Sequence, residues 1–146
     1  MLLPGTVTIL VPALIVWLGG ADFEALTVVV GAVLIGCGLA LVGWTVALFV
    51  DEGRGTLAPW DPTSKLVVRG PYRHVRNPMI TGVGTILAGE ALLFRSWGVA
   101  TELVVFALVN AVYFPLVEEP GLQQRFGAEY EEYRARVPRW LPRVRL

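Results

Sequence analysis

From Ala25 to Val50 the chain runs 26 residues without a charged side chain. About 20 predominantly apolar residues suffice for a helix to cross the hydrocarbon of a bilayer, so a run of this length points to a lipid-embedded helix. Three further apolar stretches accompany it. Leu2 to Gly20 carries no charge, Met79 to Phe94 carries only Glu90, and Gly98 to Val117 carries only Glu102. Hydrophobic residues make up 55% of the chain and charged residues 16%. A soluble domain has roughly a quarter of its residues charged, so composition supports the same class. The expected fold is an all-α integral membrane protein, one domain over residues 1–146. It has about four transmembrane helices, at 2–20, 25–50, 79–94 and 98–117. The third is short, and the last two form a hairpin.

The N-terminal stretch lacks a Lys or Arg n-region and is longer than the usual signal-peptide core, so it is read as a span and not as a cleaved leader. Cys37 is the only cysteine, which rules out an intrachain disulfide or a cysteine metal cluster, and no metal site is expected. Formal net charge is zero, but the charges are unevenly placed. The first loop holds Asp22 and Glu24 and no basic residue. The stretch 51–78 holds Arg54, Lys65, Arg69, Arg73 and Arg76, and the tail 118–146 holds Arg125, Arg134, Arg136, Arg139, Arg143 and Arg145. The positive-inside rule then places both termini, the long loop and the tail in the cytoplasm, in a multi-pass protein of the cell membrane. Trp17, Trp44, Trp97, Tyr113 and Trp140 lie near span ends, where interfacial anchoring accounts for most of them. Ala32, Gly36 and Ala40, four residues apart, are expected to bring the second span close to a neighbour.

Two polar islands stand out against this background, Gly70-Pro71-Tyr72-Arg73-His74-Val75-Arg76-Asn77-Pro78 and Glu118-Glu119-Pro120. Charge at the border of a membrane helix is costly unless it meets a ligand or a partner. Asn77 can cap the third span with Pro78 at its first position, where the missing N–H costs nothing. The free N–H groups of such a helix start attract a carboxylate or phosphate, and Arg73 and Arg76 just before it add charged donors. Read alone, the two arginines serve equally well as headgroup contacts that set topology. Glu118 and Glu119 are expected to end the fourth span, because Pro120 cannot continue the hydrogen-bond ladder. Neighbouring helical side chains diverge by roughly 100°, so one carboxylate faces a cavity while the other pairs with an arginine. A carboxylate there can hold an amine, a ribose hydroxyl or a cationic centre, or take a proton from a nucleophile. Leu122, Phe126, Tyr130, Tyr133 and Val137 then form an apolar stripe spaced as on one helix face, with Gly127 marking a bend. Elsewhere, Glu102 is expected to pair with Arg95 and Asn110 to hydrogen-bond between helices; Glu90, an intramembrane acid in need of a partner, has the lining of the acceptor pocket as its alternative role. His74 is read as interfacial, with proton acceptance as the alternative.

The first island with Gly82, followed by Glu118-Glu119, Leu122, Phe126-Gly127, Tyr130, Tyr133 and Val137-Pro138-Arg139, resembles the isoprenylcysteine carboxyl methyltransferase and phospholipid N-methyltransferase superfamily. The resemblance covers about residues 66–142. It implies an integral membrane enzyme that uses S-adenosylmethionine and releases S-adenosylhomocysteine. It also implies a pocket formed by Arg76, Asn77, Pro78, Glu118 and Glu119, with Tyr72 and Gly82 as further cofactor contacts and an amphipathic tail over the cofactor. Glu119 and Arg73 are the candidates for the chemistry. The partners implied are the lipid bilayer and a lipophilic or small methyl acceptor; no nucleic acid is expected. Asn77 stands where many members have His, and Ile80 where many have Tyr. Tyr113-Phe114-Pro115-Leu116-Val117 offers no basic residue before the acid pair, which weakens the case for a prenylcysteine carboxylate as acceptor. The alternatives are a membrane sterol- or isoprenoid-type reductase using NADPH, and a non-enzymatic membrane adaptor.

Overall fold

The computed structural model describes residues 5–52 and 64–142, and among these every regular element is helical. The start of the expected first span, the stretch 53–63 with Arg54, and Arg143 and Arg145 lie outside the described residues. A π-helical turn, Thr6–Leu10, leads into α1 (Val11–Gly19). Then come α2 (Ala25–Asp51), a 3-10 turn over Gly70–Arg73, α3 (Pro78–Leu93) and α4 (Trp97–Tyr113). Two short helices follow, α5 (Glu119–Phe126) and α6 (Ala128–Arg136).

Among the described residues two helices are long and apolar enough to cross a membrane. They are α2, and the continuous rod from Trp97 to Phe126. Only 11% of the most apolar stretch of each is buried within the protein, which excludes the core helix of a soluble domain. Their outer faces carry exposed large side chains, among them Leu26, Val29 and Val33 on α2 and Leu108 and Val112 on α4. Contiguous apolar surface of this kind needs an apolar surrounding. The Thr6–Gly19 segment and α3 are apolar but shorter. At 1.5 Å per residue, the 16 residues of α3 rise about 24 Å, less than the roughly 30 Å of hydrocarbon.

The most extensive interface joins α2 to α3, and glycine makes it. Gly31 meets Gly89 and Gly38 meets Gly82, backbone against backbone. A Cβ added at Gly38 would lie 2.6 Å from Ile86 Cγ1 and 2.7 Å from the Gly82 carbonyl oxygen. Seven residues is close to two full turns, so each glycine pair shares one helix face. The expected small-residue stripe is therefore corrected. Ala32, Gly36 and Ala40 face outward, and open space surrounds Gly36, because the packed face lies one residue, about 100°, around the helix. A core of Val7, Val83 and Leu87, with Val42, Leu103 and Phe106, ties the N-terminal turn and α4 to this pair.

The rod from α4 does not stop at the acid pair. It widens into a π-helical stretch, Phe114–Glu118, and continues as α5 through Pro120 to Phe126. Pro115 and Pro120 each lack an N–H, and an i→i+5 turn makes room for rings that would clash in a tight α-ladder. The break comes at Gly127, whose φ of +54° suits glycine. There the chain reverses into α6, and Tyr130, Tyr133 and Val137 pack with Leu66, Leu122 and Phe126. The apolar stripe thus folds inward on two helices.

Candidate functional site

Four segments meet at one end of the α3–α4 hairpin: the 3-10 turn with residues 74–77, the start of α3, the π-to-α5 junction, and α6 with the residues after it. The order of the chain dictates this meeting. α3 starts at Pro78 and α4 ends at Tyr113, so an antiparallel hairpin brings Asn77 and Glu118–Glu119 to the same end. Gly70, at φ +55°, turns the chain against Trp44 and Leu48 of α2 and delivers Tyr72 to Arg76 to that end.

The centre is Glu119, only 3% exposed. Its Oε1 accepts from Arg76 Nη1 at 2.6 Å and from Arg139 Nε at 2.9 Å, and its Oε2 accepts from Arg139 Nη2 at 3.0 Å. Arg134 Nε lies 3.9 Å from Oε2. One carboxylate thus faces three guanidinium groups, which leaves two positive charges uncompensated within the cluster. Arg76 is nearly buried while Arg139 and Arg134 reach solvent, so the surplus charge is only partly screened and attracts an anion. Beside the cluster lie buried polar atoms without hydrogen-bond partners: Arg76 Nε, Asn77 Nδ2 and the Tyr130 hydroxyl. Burial pushes the Tyr130 hydroxyl pKa up, and the adjacent Arg76 partly offsets this, although the geometry falls short of a hydrogen bond. Orphaned buried donors of this kind mark a place where a ligand or water belongs.

Asn77 stands at the cap position of α3 with Pro78 behind it, but its side chain caps nothing. The expected side-chain cap is corrected: the backbone carbonyl of Asn77 accepts the first helical bond, from Thr81 N–H, while the amide is 5% exposed with Nδ2 free. Tyr72 is buried. Its carbonyl oxygen accepts the Tyr133 hydroxyl at 2.8 Å, and its ring meets Phe49 edge-on. The Arg76 N–H donates to the Pro138 carbonyl at 2.9 Å. These two bonds tie α6 and the segment after it onto the loop before α3, and the Arg139 fork ties that segment to Glu119 at the start of α5.

The structure does not bring every candidate to this centre. Arg73 and His74 are exposed and line an adjoining cleft of about 900 Å³ with Arg69, Glu129, Glu132 and Arg136, a cleft that shares Tyr133 and Pro138 with the site. Gly82 lies in the α2–α3 interface, where a Cβ would meet Val42 and the Gly38 carbonyl, so helix packing accounts for it. Glu118 is half-buried and makes no ion pair with the arginines on Glu119; Arg125 is the cation that acts on it most, and Glu118 itself lies close enough to act on Tyr72. At the opposite end of the hairpin, Arg95 pairs with Glu24 at 3.4 Å instead of Glu102, and Asn110 donates within its own helix to the Phe106 carbonyl at 2.8 Å. Tyr130, Arg134 and Arg139 are the residues that reading the sequence for a site missed. Tyr130 was visible in the apolar stripe and Arg139 among the tail's basic residues, and both in the motif that carries the resemblance, but neither was given a place in the site. Among the described residues no group of His, Cys, Asp and Glu is arranged to hold a metal ion.

Comparison with known proteins fits this geometry. The family model described as phospholipid methyltransferase matches residues 26–129, that is 104 of the 146 residues. The chain belongs to the phospholipid methyltransferase family. The matched stretch holds α2, the Arg76–Pro78 turn, the α3–α4 hairpin and Glu119, and it ends before Arg139. Among curated relatives, protein-S-isoprenylcysteine O-methyltransferase B of Arabidopsis thaliana is 32% identical over 91 residues, covering 55% of this chain and 41% of the relative. Protein-S-isoprenylcysteine O-methyltransferase of Schizosaccharomyces pombe is 30% identical over 90 residues, covering 54% of this chain and 34% of the relative. Methanethiol S-methyltransferase 2 of Bradyrhizobium diazoefficiens is 37% identical over 76 residues, covering 50% of this chain and 27% of the relative. The chain spans less than half the length of these relatives. No solved structure matches it significantly.

Proposed function

We propose that this phospholipid methyltransferase family member transfers a methyl group from S-adenosylmethionine to a lipophilic or small acceptor at the cytoplasmic face of a membrane. The observation that carries the reading is the buried Glu119 carboxylate with three arginines around it and a surplus of positive charge, beside the Arg76 Nε, Asn77 Nδ2 and Tyr130 hydroxyl that lack hydrogen-bond partners. That donor set suits the methionyl carboxylate. Arg76 and Asn77 would bind it, and the N-terminus of α3 adds its partial positive charge. Glu119, occupied by its arginines, holds the cluster in place. Glu118 is the carboxylate left to meet a cationic part of the cofactor. When bound, the cofactor supplies a sulfonium-activated methyl group, and the protein's part in the transfer is to position the reacting atoms and exclude water.

The four apolar segments support four crossings, with Thr6–Gly19 and α3 as short partners of the long helices and both termini on the cytoplasmic side. The acceptor would reach the site laterally from the lipid. Tyr113 to Val117 brings no basic side chain to it, and exposed Leu116 and Val117 present apolar surface there, so we propose an acceptor without a carboxylate.

The test is binding of S-adenosylhomocysteine to the detergent-purified protein, by calorimetry and by its effect on the melting temperature. Arg76→Ala should weaken binding by about 1.5–3 kcal/mol, the worth of a charge-assisted hydrogen bond. Unchanged affinity in a folded Arg76→Ala protein removes Arg76 from the site. Stabilisation by NADPH instead of S-adenosylhomocysteine restores the reductase alternative.

A further inference from the structure

We infer that Arg139 is a positioning residue for the anion site: it occupies Glu119 so that Arg76 keeps its Nε free for ligand. The inference rests on the methyltransferase reading above, and Arg139 lies ten residues beyond the stretch that matches the family.

The geometry is a division of one carboxylate between two guanidinium groups. Arg139 uses both Nε and Nη2, one to each oxygen of Glu119, at 2.9 and 3.0 Å. Arg76 is left with one bond, Nη1 to Oε1 at 2.6 Å. Its Nε is buried and unpartnered. A carboxylate and a guanidinium alone in a buried site form a two-bond fork, the strongest arrangement open to them. With Arg139 present that fork is taken, and Arg76 is held by one corner. With Arg139 absent, Glu119 and Arg76 are free to close on each other, which would consume the donors that an anionic ligand needs.

The fold places Arg139 for this task. The residue before it, Pro138, accepts the backbone N–H of Arg76 at 2.9 Å, which fixes the two arginine backbones side by side. Tyr133 Oη, donating to the Tyr72 carbonyl at 2.8 Å, holds α6 against the same loop. Arg134 is more exposed and more distant, at 3.9 Å, so it cannot substitute for the fork. The chemical class of ligand served is a carboxylate, such as that of the cofactor's methionyl group.

The experiment is a mutant cycle read by S-adenosylhomocysteine calorimetry in detergent, with the melting temperature of the ligand-free protein recorded for each variant. Arg139→Ala should weaken binding by about tenfold or more, the cost of losing charged donors to the ligand. Adding Glu119→Gln to Arg139→Ala should restore affinity by about threefold or more, because a neutral amide no longer draws Arg76 into a fork. Arg139→Lys, which keeps the charge but offers a point donor, should fall between the parent and Arg139→Ala. A residue that only staples the C-terminal segment predicts the opposite: the double variant binds no better than Arg139→Ala, and this result overturns the inference. If Arg139→Ala does not fold, Arg139→Lys with and without Glu119→Gln gives the same comparison, and absence of recovery there is equally decisive. A parent protein that fails to bind S-adenosylhomocysteine overturns both the inference and the methyltransferase reading. Binding by the parent, lost in Arg76→Ala, with no recovery in the cycle, overturns only the role of Arg139.

Discussion

The two ends of the α3–α4 hairpin treat the same side chain in opposite ways. At one end Glu119 meets Arg76 and Arg139 directly and has Arg134 within reach. At the other end Glu90 and Glu102 each have a buried Oε2 without a partner. The cation nearest to that end by sequence, Arg95, turns to Glu24 in the preceding loop, where Phe23 also meets Phe94 edge-on. One end therefore concentrates positive charge around a carboxylate, and the other leaves carboxylates without counterions. The difference separates a charge that organises its surroundings from charges that the fold tolerates. It also explains why only the first end is complementary to an anion.

The strongest way to break this comparison is to remove Glu119. Glu119→Leu leaves the Arg76 side chain, 9% exposed, with no carboxylate. Stripping one partner from a buried ion pair typically costs about 3–5 kcal/mol, and we expect a loss of that size in equilibrium unfolding in mixed detergent. A loss under about 1 kcal/mol would place the cluster with solvent-exposed ion pairs and dissolve the contrast between the ends.

The next effect tests what holds the two ends in one hairpin against α2. At Gly38 a Cβ meets the Gly82 backbone, so Gly38→Ala should separate the helices and cost about 1–3 kcal/mol. Gly36 has open space around it, and Gly36→Ala should stabilise α2 by up to about 1 kcal/mol through helix propensity alone. Equal effects at the two glycines would mean that α3 does not pack on that face.

These glycines also show where reading the sequence ran out. The apolar runs, Pro78 at a helix start and the break at Gly127 could be read because each rests on local chemistry: hydropathy, a fixed φ, a missing Cβ. The packing face of α2 could not, because Gly31 and Gly38 stand beside an equally plausible run of Ala32, Gly36 and Ala40, and only the partner helix decides between them. The passage of the rod through Pro120 was hidden because a π-turn leaves no mark in a 3.6-residue period. At the site, Arg76 and the acid pair were visible as charge where charge is costly. Arg139 was not, since its meaning lies in a fork with a residue 20 positions away. Asn110 took a partner within its own helix, and Arg95 paired with Glu24, far off in sequence, instead of the nearby Glu102.

A smaller effect comes from the tyrosines at the charged end. Burial raises the Tyr72 and Tyr133 hydroxyl pKa values above the ordinary value of 10.0. Groups whose pKa is raised on folding contribute stability that is fully present below the unfolded value and lost as pH climbs past it. The melting temperature should therefore fall above about pH 10, and Tyr133→Phe should flatten that fall. At neutral pH the same variant loses the bond to the Tyr72 carbonyl, about 0.5–1.5 kcal/mol. An alkaline melting profile identical to the parent's would separate Tyr133 from this dependence.

The smallest effect sharpens the comparison from the other side. Glu90→Gln and Glu102→Gln keep the size of each side chain and remove an acid that has no cation near it. Neither change breaks an ion pair or a side-chain hydrogen bond among the described residues. Stability in detergent should shift by less than about 0.5 kcal/mol, the usual range for substitutions that touch no special feature. S-adenosylhomocysteine affinity should also stay with the parent's, because both residues lie at the end of the hairpin away from Arg76. A large loss of S-adenosylhomocysteine affinity in Glu90→Gln with stability intact would bring this acid into the cofactor site and join the two ends into one site. Loss of stability in both variants would mean that the pair shares a proton or a bound cation, and that its carboxylates are organised after all.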